Sequence, residues 1–425
     1  MVKFSFKKMI ASLCFVPCLV LTPTSAHAVI ASVKTFGMAA TGIAYPQDAQ
    51  AAVFNPAGMA DVGDRYDLGF EVARTSRQAT VRGNLSPLPG VNGKFDANHK
   101  AKYAYNGDFG INKMLGNNMS LGLVVYNRNF SKTKYKHALP LFGTSKVGME
   151  YAHETISPTF SIKLLEKHNF GVSLNYMIQR LWVQGLQNFA KEAFGVGIFS
   201  KFPRYVTNHK YSYSQGVGFT FGYRCQVADR LSVGVTYQPK TYMSKFKKYK
   251  GFLAGKGRLN IPQKIGAGFA WRLLPYATLA FDVEYINWRK VKALHRPLQD
   301  NLTAHKLGAH NGTGFGFRDQ WFYRLGIDYE LTEWLIVRAG YRHTRAPIKR
   351  SQTAVNVLTV DTIEDYLTLG ATACLNSSNE ISVFYGHGFS HKIKGKNSIP
   401  SSFGLGEANI KQSDNVFGIS WGHTY

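Results

Sequence analysis

From residue 65 onward the chain is a succession of short segments in which apolar and polar residues alternate and the ends are aromatic. The segments are 66–72, 102–112, 121–126, 155–164, 170–176, 217–223, 231–237, 265–271, 279–286, 322–329, 335–341, 366–373 and 381–385. A last one places Phe417, Ile419, Trp421, His423 and Tyr425 on one face. Period two sends successive side chains to opposite faces of a strand, so each segment reads as a strand with one apolar side. With the terminal one they number about fourteen, an even count of the kind an outer-membrane barrel requires. Tyr126, Tyr176, Trp182, Tyr223, Trp271, Trp321, Trp334 and Tyr341 stand at segment ends, as aromatic girdles do at the two membrane interfaces. A secreted sandwich or propeller would alternate too, but would explain neither the girdles nor the aromatic terminal strand.

The N-terminus supplies the route to such a membrane. Lys3, Lys7 and Lys8 precede an apolar run from Met9 to about Leu21, and Ala26-His27-Ala28 makes a small-x-small cleavage site. Residues 1–28 therefore read as a signal peptide, since a run of about 13 residues is too short to span a bilayer. No later segment holds 18 consecutive apolar residues, which excludes a helical membrane protein. A hydrophobic content of 45% excludes a disordered chain, and 4 Cys in 425 residues exclude a disulfide scaffold. Cys14 and Cys18 leave with the signal; whether Cys225 and Cys374 pair is open. Long polar segments (76–101, 129–154, 186–215, 239–263, 289–320, 344–364 and 389–414) alternate with short links, as extracellular loops do with periplasmic turns.

The formal charge of +26 does not make this a nucleic-acid-binding protein. The basic residues lie in loops of an exported barrel, such as Lys132, Lys134 and Lys136, or Lys245, Lys247, Lys248 and Lys250. Such loops attract anionic lipopolysaccharide phosphates or anionic substrates, while for most single lysines a solvated surface is explanation enough. Gly418-Ile419-Ser420-Trp421-Gly422 matches a hydrolase nucleophile pattern, but it sits in the terminal strand rather than at a strand-to-helix turn. His305, His310, His387 and His391 are loop or strand histidines without a glutamate partner. The sequence thus supports no enzyme, cofactor or metal.

Residues 29–64 are small, Ala/Gly-rich and without alternation, and close on Asn55-Pro56-Ala57-Gly58, a compact elbow. An arm ahead of a barrel either hangs in the periplasm or folds into the lumen as a plug, and its small residues favour the plug, because a lumen is narrow. The strand glycines, among them Gly171, Gly234, Gly326 and Gly340, are expected to relieve crowding where strands bend or the lumen stays open. In the segment 186–206, Leu186, Phe189, Phe194, Ile198, Phe199 and Phe202 are spaced as on a short helix lying over the outer face. That much apolar surface in an exposed loop points to a ligand groove, or else to packing on the barrel rim.

Taken together these motifs resemble the FadL/TodX family of outer-membrane transporters for long-chain fatty acids and other hydrophobic compounds. Asp48 with Asn55-Pro56-Ala57-Gly58 is similar to the family's hatch signature. Ile156-Ser157-Pro158-Thr159, Arg258-Leu259-Asn260-Ile261-Pro262, the stretch from Asp282 to Trp288, Arg338-Ala339-Gly340-Tyr341, Pro347-Ile348 and Asp361 resemble its strand and loop motifs in order. The resemblance implies an all-β, antiparallel 14-stranded barrel over residues 65–425, its lumen plugged by a hatch over 29–64. Hydrophobic ligand is captured in an outer apolar groove, passes to an inner pocket and leaves sideways past the hatch, without an energy source. The apolar loop resembles the family's outer groove. The family pairs a ligand carboxylate with basic residues, and the stretch ending in Arg180 reproduces the spacing of one of them. A wall ion pair remains the alternative for Arg180. The second basic position has no match in register; Arg318 is nearest. The ligand is therefore a fatty acid or an uncharged hydrocarbon. The expected partners are that ligand and outer-membrane lipid or lipopolysaccharide, with the protein a monomer. An adhesive surface barrel is the competing reading, and an open porin is disfavoured by the plug.

Overall fold

The computed structural model describes residues 31–97, 103–298 and 301–425. The signal peptide expected over 1–28 lies outside them. Fourteen long antiparallel strands form the wall: β1 (Arg65–Arg82), β2 (Tyr103–Met114), β3 (Met119–Ala138), β4 (Lys146–Leu164), β5 (His168–Gln184), β6 (Ser212–Ala228) and β7 (Leu231–Gln238). They continue as β8 (Gln263–Leu274), β9 (Ala277–Asn287), β10 (Gln320–Thr332), β11 (Leu335–Thr344), β12 (Asp365–Cys374), β13 (Asn379–Ile393) and β14 (Glu407–Thr424). Each of the fourteen alternating segments of the sequence falls on one of these strands, apart from Lys102, outside the described residues, and the terminal Tyr425. Neighbours in sequence are neighbours in the sheet, and β14 returns to β1 from Arg65↔Thr424 to Arg82↔Glu407. Closure matters because lipid offers no hydrogen bonds to an open edge.

The alternation is inverted relative to a soluble barrel. On β1 the outward Phe70 is 48% exposed, while the inward Arg77 is 1% exposed. Outward Leu174, Tyr176, Phe219, Phe221, Leu325, Leu369 and Ile419 continue the exposed apolar belt. Only a lipid surround makes such a belt stable. No helix among the described residues is long and apolar enough to cross a membrane. Cys225 and Cys374 are free.

The two ends of the barrel differ. Turns such as 165–167, 229–230 and 333–334 close one end. At the other, the segments 185–211, 239–262, 288–298, 301–319, 345–364 and 394–406 fold together into a second apolar core that includes Phe246, Tyr249, Leu253, Phe315 and Leu358. The Tyr249 hydroxyl in that cap donates to the His209 carbonyl at 2.7 Å, and burial pushes it up to about 12.

The N-terminal arm occupies the lumen. A short helix, α1 (Val33–Gly37), and two 3-10 turns (Ala51–Val53 and Pro56–Asp61) are almost wholly buried there. Inward glycines make the room. A Cβ on Gly171 would stand 2.3 Å from the Pro56 carbonyl carbon, and one on Gly340 would stand 2.3 Å from that of Met38. The space expected to stay open at these glycines is filled by backbone of the arm.

Candidate functional site

The hatch is fastened by polar clasps rather than by apolar packing alone. Asn55 caps its own turn by accepting from the Ala57 N–H at 3.1 Å. Its amide donates to the Ile43 carbonyl at 2.7 Å and, across to the wall, to the Tyr223 carbonyl at 3.0 Å. Pro56, Ala57 and Gly58 form the turn it caps, with Gly58 closed over Pro46. Asp48 accepts from the Ser32 hydroxyl and from the Gln50 N–H. Asp61 pairs with Arg224 at 2.6 Å and with Lys163. Lys34 pairs with Glu380, and Asp282 accepts the Gly42 and Ile43 N–H groups at 2.8 and 3.1 Å. The N–H donations to Tyr223, from Gly42 and from Ile43, like those from Ala39 to Thr368 and from Ala49 to Asp67, thus join hatch to wall without a charged pair on the hatch side.

Above the hatch lies a cavity of about 330 Å³. Phe36, Ala40, Val53 and Phe54 of the hatch form its floor, and Leu181, Leu259, Trp288, Phe315 and Phe384 are among its apolar walls. Four of its charged groups, Lys264, Glu284, Arg324 and Arg342, are clustered on β8 to β11. Glu284 holds Lys264 at 2.9 Å and Arg324 at 3.1 Å. Arg342 makes no hydrogen bond or ion pair with any described residue. Its guanidinium carbon lies 4.7 Å from the Tyr366 ring centroid and 5.8 Å from that of Phe322. Asp361 and Asp414 attract it from a greater distance and line the same cavity. Burial raises the carboxyl of Asp361, a residue of the outer cap, against the pull of Arg77 and Arg342.

Further out, a small apolar pocket of about 30 Å³ is set in the cap, lined by Leu141, Leu186, Phe189, Phe252, Leu307 and Phe403 among others. Phe189 stacks on Phe403 at 4.7 Å, and Phe199 packs on the same ring at 5.1 Å. The helix expected over this loop does not form. Two 3-10 turns (Gln187–Ala190 and Pro203–Tyr205) flank a two-residue ladder between Glu192–Ala193 and Val196–Gly197. Gly195 at φ 75° turns the chain back, and Phe194 at its tip is fully exposed. Ile198 is half-buried outside the pocket lining, and Phe202 packs under Lys250 at 5.1 Å. The pocket therefore gathers Leu186 and Phe189, with Phe199 behind them, and leaves out Phe194, Ile198 and Phe202.

Among the described residues the wall is incompletely paired on one side. β1 pairs with β2 as far up as Arg74↔Tyr103, but the β2–β3 ladder stops at Phe109↔Val125. Beyond it the next link among the described residues is Ala97↔Tyr135, made by a short strand (Gly93–Ala97) that pairs with the top of β1. Among the described residues the two strands part over a window flanked by residues 103–108 and 126–131. Tyr126 stands at its edge and also lines the cavity; Val53 of the hatch packs on Tyr126, and Gln50 donates to Asp108 beside it.

The family model described as outer membrane protein transport protein (OMPP1/FadL/TodX) matches residues 21–421. The chain belongs to this family. No curated protein sequence matches it. Among solved structures, a FadL homologue of Pseudomonas aeruginosa is similar with a TM-score of 0.68 at 16% identity, covering 95% of this chain and 99% of that one. The toluene transporter TodX of P. putida gives 0.67 at 14%, covering 93% and 99%. The toluene transporter TbuX of Ralstonia pickettii gives 0.60 at 14%, covering 93% and 99%. At these identities the likeness is one of fold. Family membership makes the chain an outer-membrane transport channel for hydrophobic compounds, and members are not enzymes.

Within this FadL/TodX frame, neither arginine singled out by the resemblance reaches the cavity. Arg180 lies on the outer face of β5, where it pairs with Glu150 at 2.9 Å and stacks on Tyr211 at 4.7 Å. Its neighbour Leu181 is the one that lines the cavity. Arg318 is in the cap and donates twice to the Ala346 carbonyl, at 2.8 and 2.6 Å, tying two loops together. Arg342 went unnoticed in the sequence, although a signal existed. It alternates with the outward Tyr341, and so points into the lumen.

Proposed function

We propose that this channel carries long-chain amphiphiles with an anionic head, fatty acids being the plainest case, and that Arg342 receives the carboxylate. The carrying observation is a guanidinium in the luminal cavity that no described residue hydrogen-bonds or ion-pairs. An arginine held so is costly unless a guest supplies acceptors, and its planar fork suits a carboxylate. The acyl chain is captured at the Phe189–Phe403 pocket, descends into the cavity, and lies along Leu181, Leu259 and Phe384. It leaves through the window between β2 and β3 into the membrane once the hatch residues Gln50 and Val53 shift. The hatch role falls to Asp48 and Asn55-Pro56-Ala57-Gly58. The gradient alone drives transport.

An uncharged hydrocarbon is the second reading, favoured by the fold likeness to two proteins named toluene transporters. Proteoliposome uptake of labelled oleate against labelled toluene separates the two. Saturable oleate uptake supports the proposal; toluene uptake with no oleate uptake overturns it.

A further inference from the structure

The outer wall carries a cationic and aromatic patch that the transport path does not use. Past the bulge between Asn127 and Asn129, Thr133 and Tyr135 face inward and are buried, so Lys132, Lys134 and Lys136 face outward. On β5, Leu181 and Val183 are buried, so Arg180 and Trp182 face the same way. Cross-strand pairing brings the set together: Lys132↔Glu150 and Glu150↔Trp182, with Gly148 between Lys134 and Gln184. Lys134 Nζ lies 5.9 Å from the Trp182 ring centroid. Glu150 braces the patch. It accepts from Arg180 at 2.9 Å and from the Tyr211 hydroxyl at 3.0 Å, and pairs with Lys132 at 3.4 Å. Glu150 thus stands among four cations, with Glu154 on the same face of β4 within the field of Arg180, and Tyr213 beside it is 60% exposed.

Its height on the barrel says what covers it. Below Arg180 the outward face of β5 reads Ile178, Tyr176, Leu174, Val172 and Phe170. Ten residues of strand at about 3.4 Å each, tilted about 40°, rise ~26 Å, which is the height of the apolar band of such barrels. Arg180 and the lysines therefore sit at the outer-leaflet headgroups, at the end of the barrel bearing the long loops.

We infer that this patch is a binding site for the phosphorylated sugar head of an outer-leaflet glycolipid, the lipid A portion of lipopolysaccharide. Ammonium and guanidinium groups meet its phosphates. The open face of the half-buried Trp182 and the exposed ring of Tyr213 meet its sugar rings, as amphipathic aromatics do at a membrane surface. Glu150 keeps Arg180 and Lys132 in place without neutralising the set.

The test uses the full-length mature protein in detergent, with a lipid A that keeps its two phosphates, the same lipid dephosphorylated, and phosphatidylglycerol as probes. Lys134→Ala with Lys136→Ala is expected to weaken binding of the phosphorylated lipid about thirty-fold, taking ~1 kcal/mol per lysine at 1.4 kcal/mol per decade. Trp182→Ala is expected to weaken it several-fold at unchanged salt dependence, and the double Lys→Arg variant to restore it. Ligand uptake and heat-modifiable migration of the barrel stay as in the parent. Parent-level affinity in the double alanine variant, equal binding of the dephosphorylated lipid, or equally tight phosphatidylglycerol would each overturn the assignment.

Discussion

Replacing Arg342 with methionine keeps much of the side-chain volume and removes the charge. In the cavity this leaves the Phe322 and Tyr366 rings facing a thioether, with Lys264 and Arg324 still sharing Glu284. A hydrogen bond to a charged group contributes about 1.5–3 kcal/mol, so a carboxylate that loses this partner binds about 10- to 150-fold more weakly. The residual pair Lys264 and Arg324 does not compensate, because Glu284 already occupies both. Asp361 and Asp414, relieved of Arg342, add a repulsive field and push the loss toward the upper end. Titration calorimetry of the purified barrel with oleate and with oleyl alcohol reads the effect. Oleate affinity falls by that factor while the alcohol, with the same chain and no charge, changes by less than about threefold; Arg342→Lys recovers part of the loss. Equal losses for both ligands would mean that the substitution merely deforms the cavity. No loss for either would remove Arg342 from ligand binding altogether.

Asn55→Ala removes one cap and two donated hydrogen bonds at ~1 kcal/mol each, so the hatch loosens locally while the barrel stays intact. Uptake falls, hydrogen exchange over residues 43–62 speeds up by about 30- to 150-fold, and heat-modifiable migration does not change; unchanged exchange would count against Asn55 as a clasp. Gly171→Ala places a methyl 2.3 Å from the Pro56 carbonyl carbon and 2.4 Å from the Ala57 nitrogen, so the hatch must move off β5. Single-channel recording is expected to show leak currents absent from the parent, and a silent variant would show that the elbow is not seated there. In the cap, Phe189→Ala raises the half-saturating ligand concentration for uptake about tenfold, whereas Phe194→Ala at the exposed loop tip leaves it unchanged. Equal effects of the two would place capture elsewhere on the loop.

Strand number, barrel class and membrane were legible in the sequence because they rest on a local rule. In a closed sheet between lipid and lumen, parity sets each residue's face along any stretch free of bulges, and no distant contact is needed to read it. The plug was legible for a similar reason, since an arm of small residues ending in Asn55-Pro56-Ala57-Gly58 has few other places to go. Parity also bore on Arg180, which shares the face of Phe170 and Tyr176, yet the resemblance of spacing drew it toward the ligand. Only the tertiary structure decided what parity cannot carry. The loop 186–206 has apolar residues at helical spacing, but its path is set by the cap it packs into and by the reversal at Gly195. The window depends on where β2 parts from β3, a matter of pairing between strands. The bare guanidinium of Arg342 depends on how near the acids of β9, β14 and the outer cap come, and the glycines of the wall acquire their purpose only once the hatch backbone lies against them. Facing is a property of one strand, whereas fit and charge balance belong to the closed barrel.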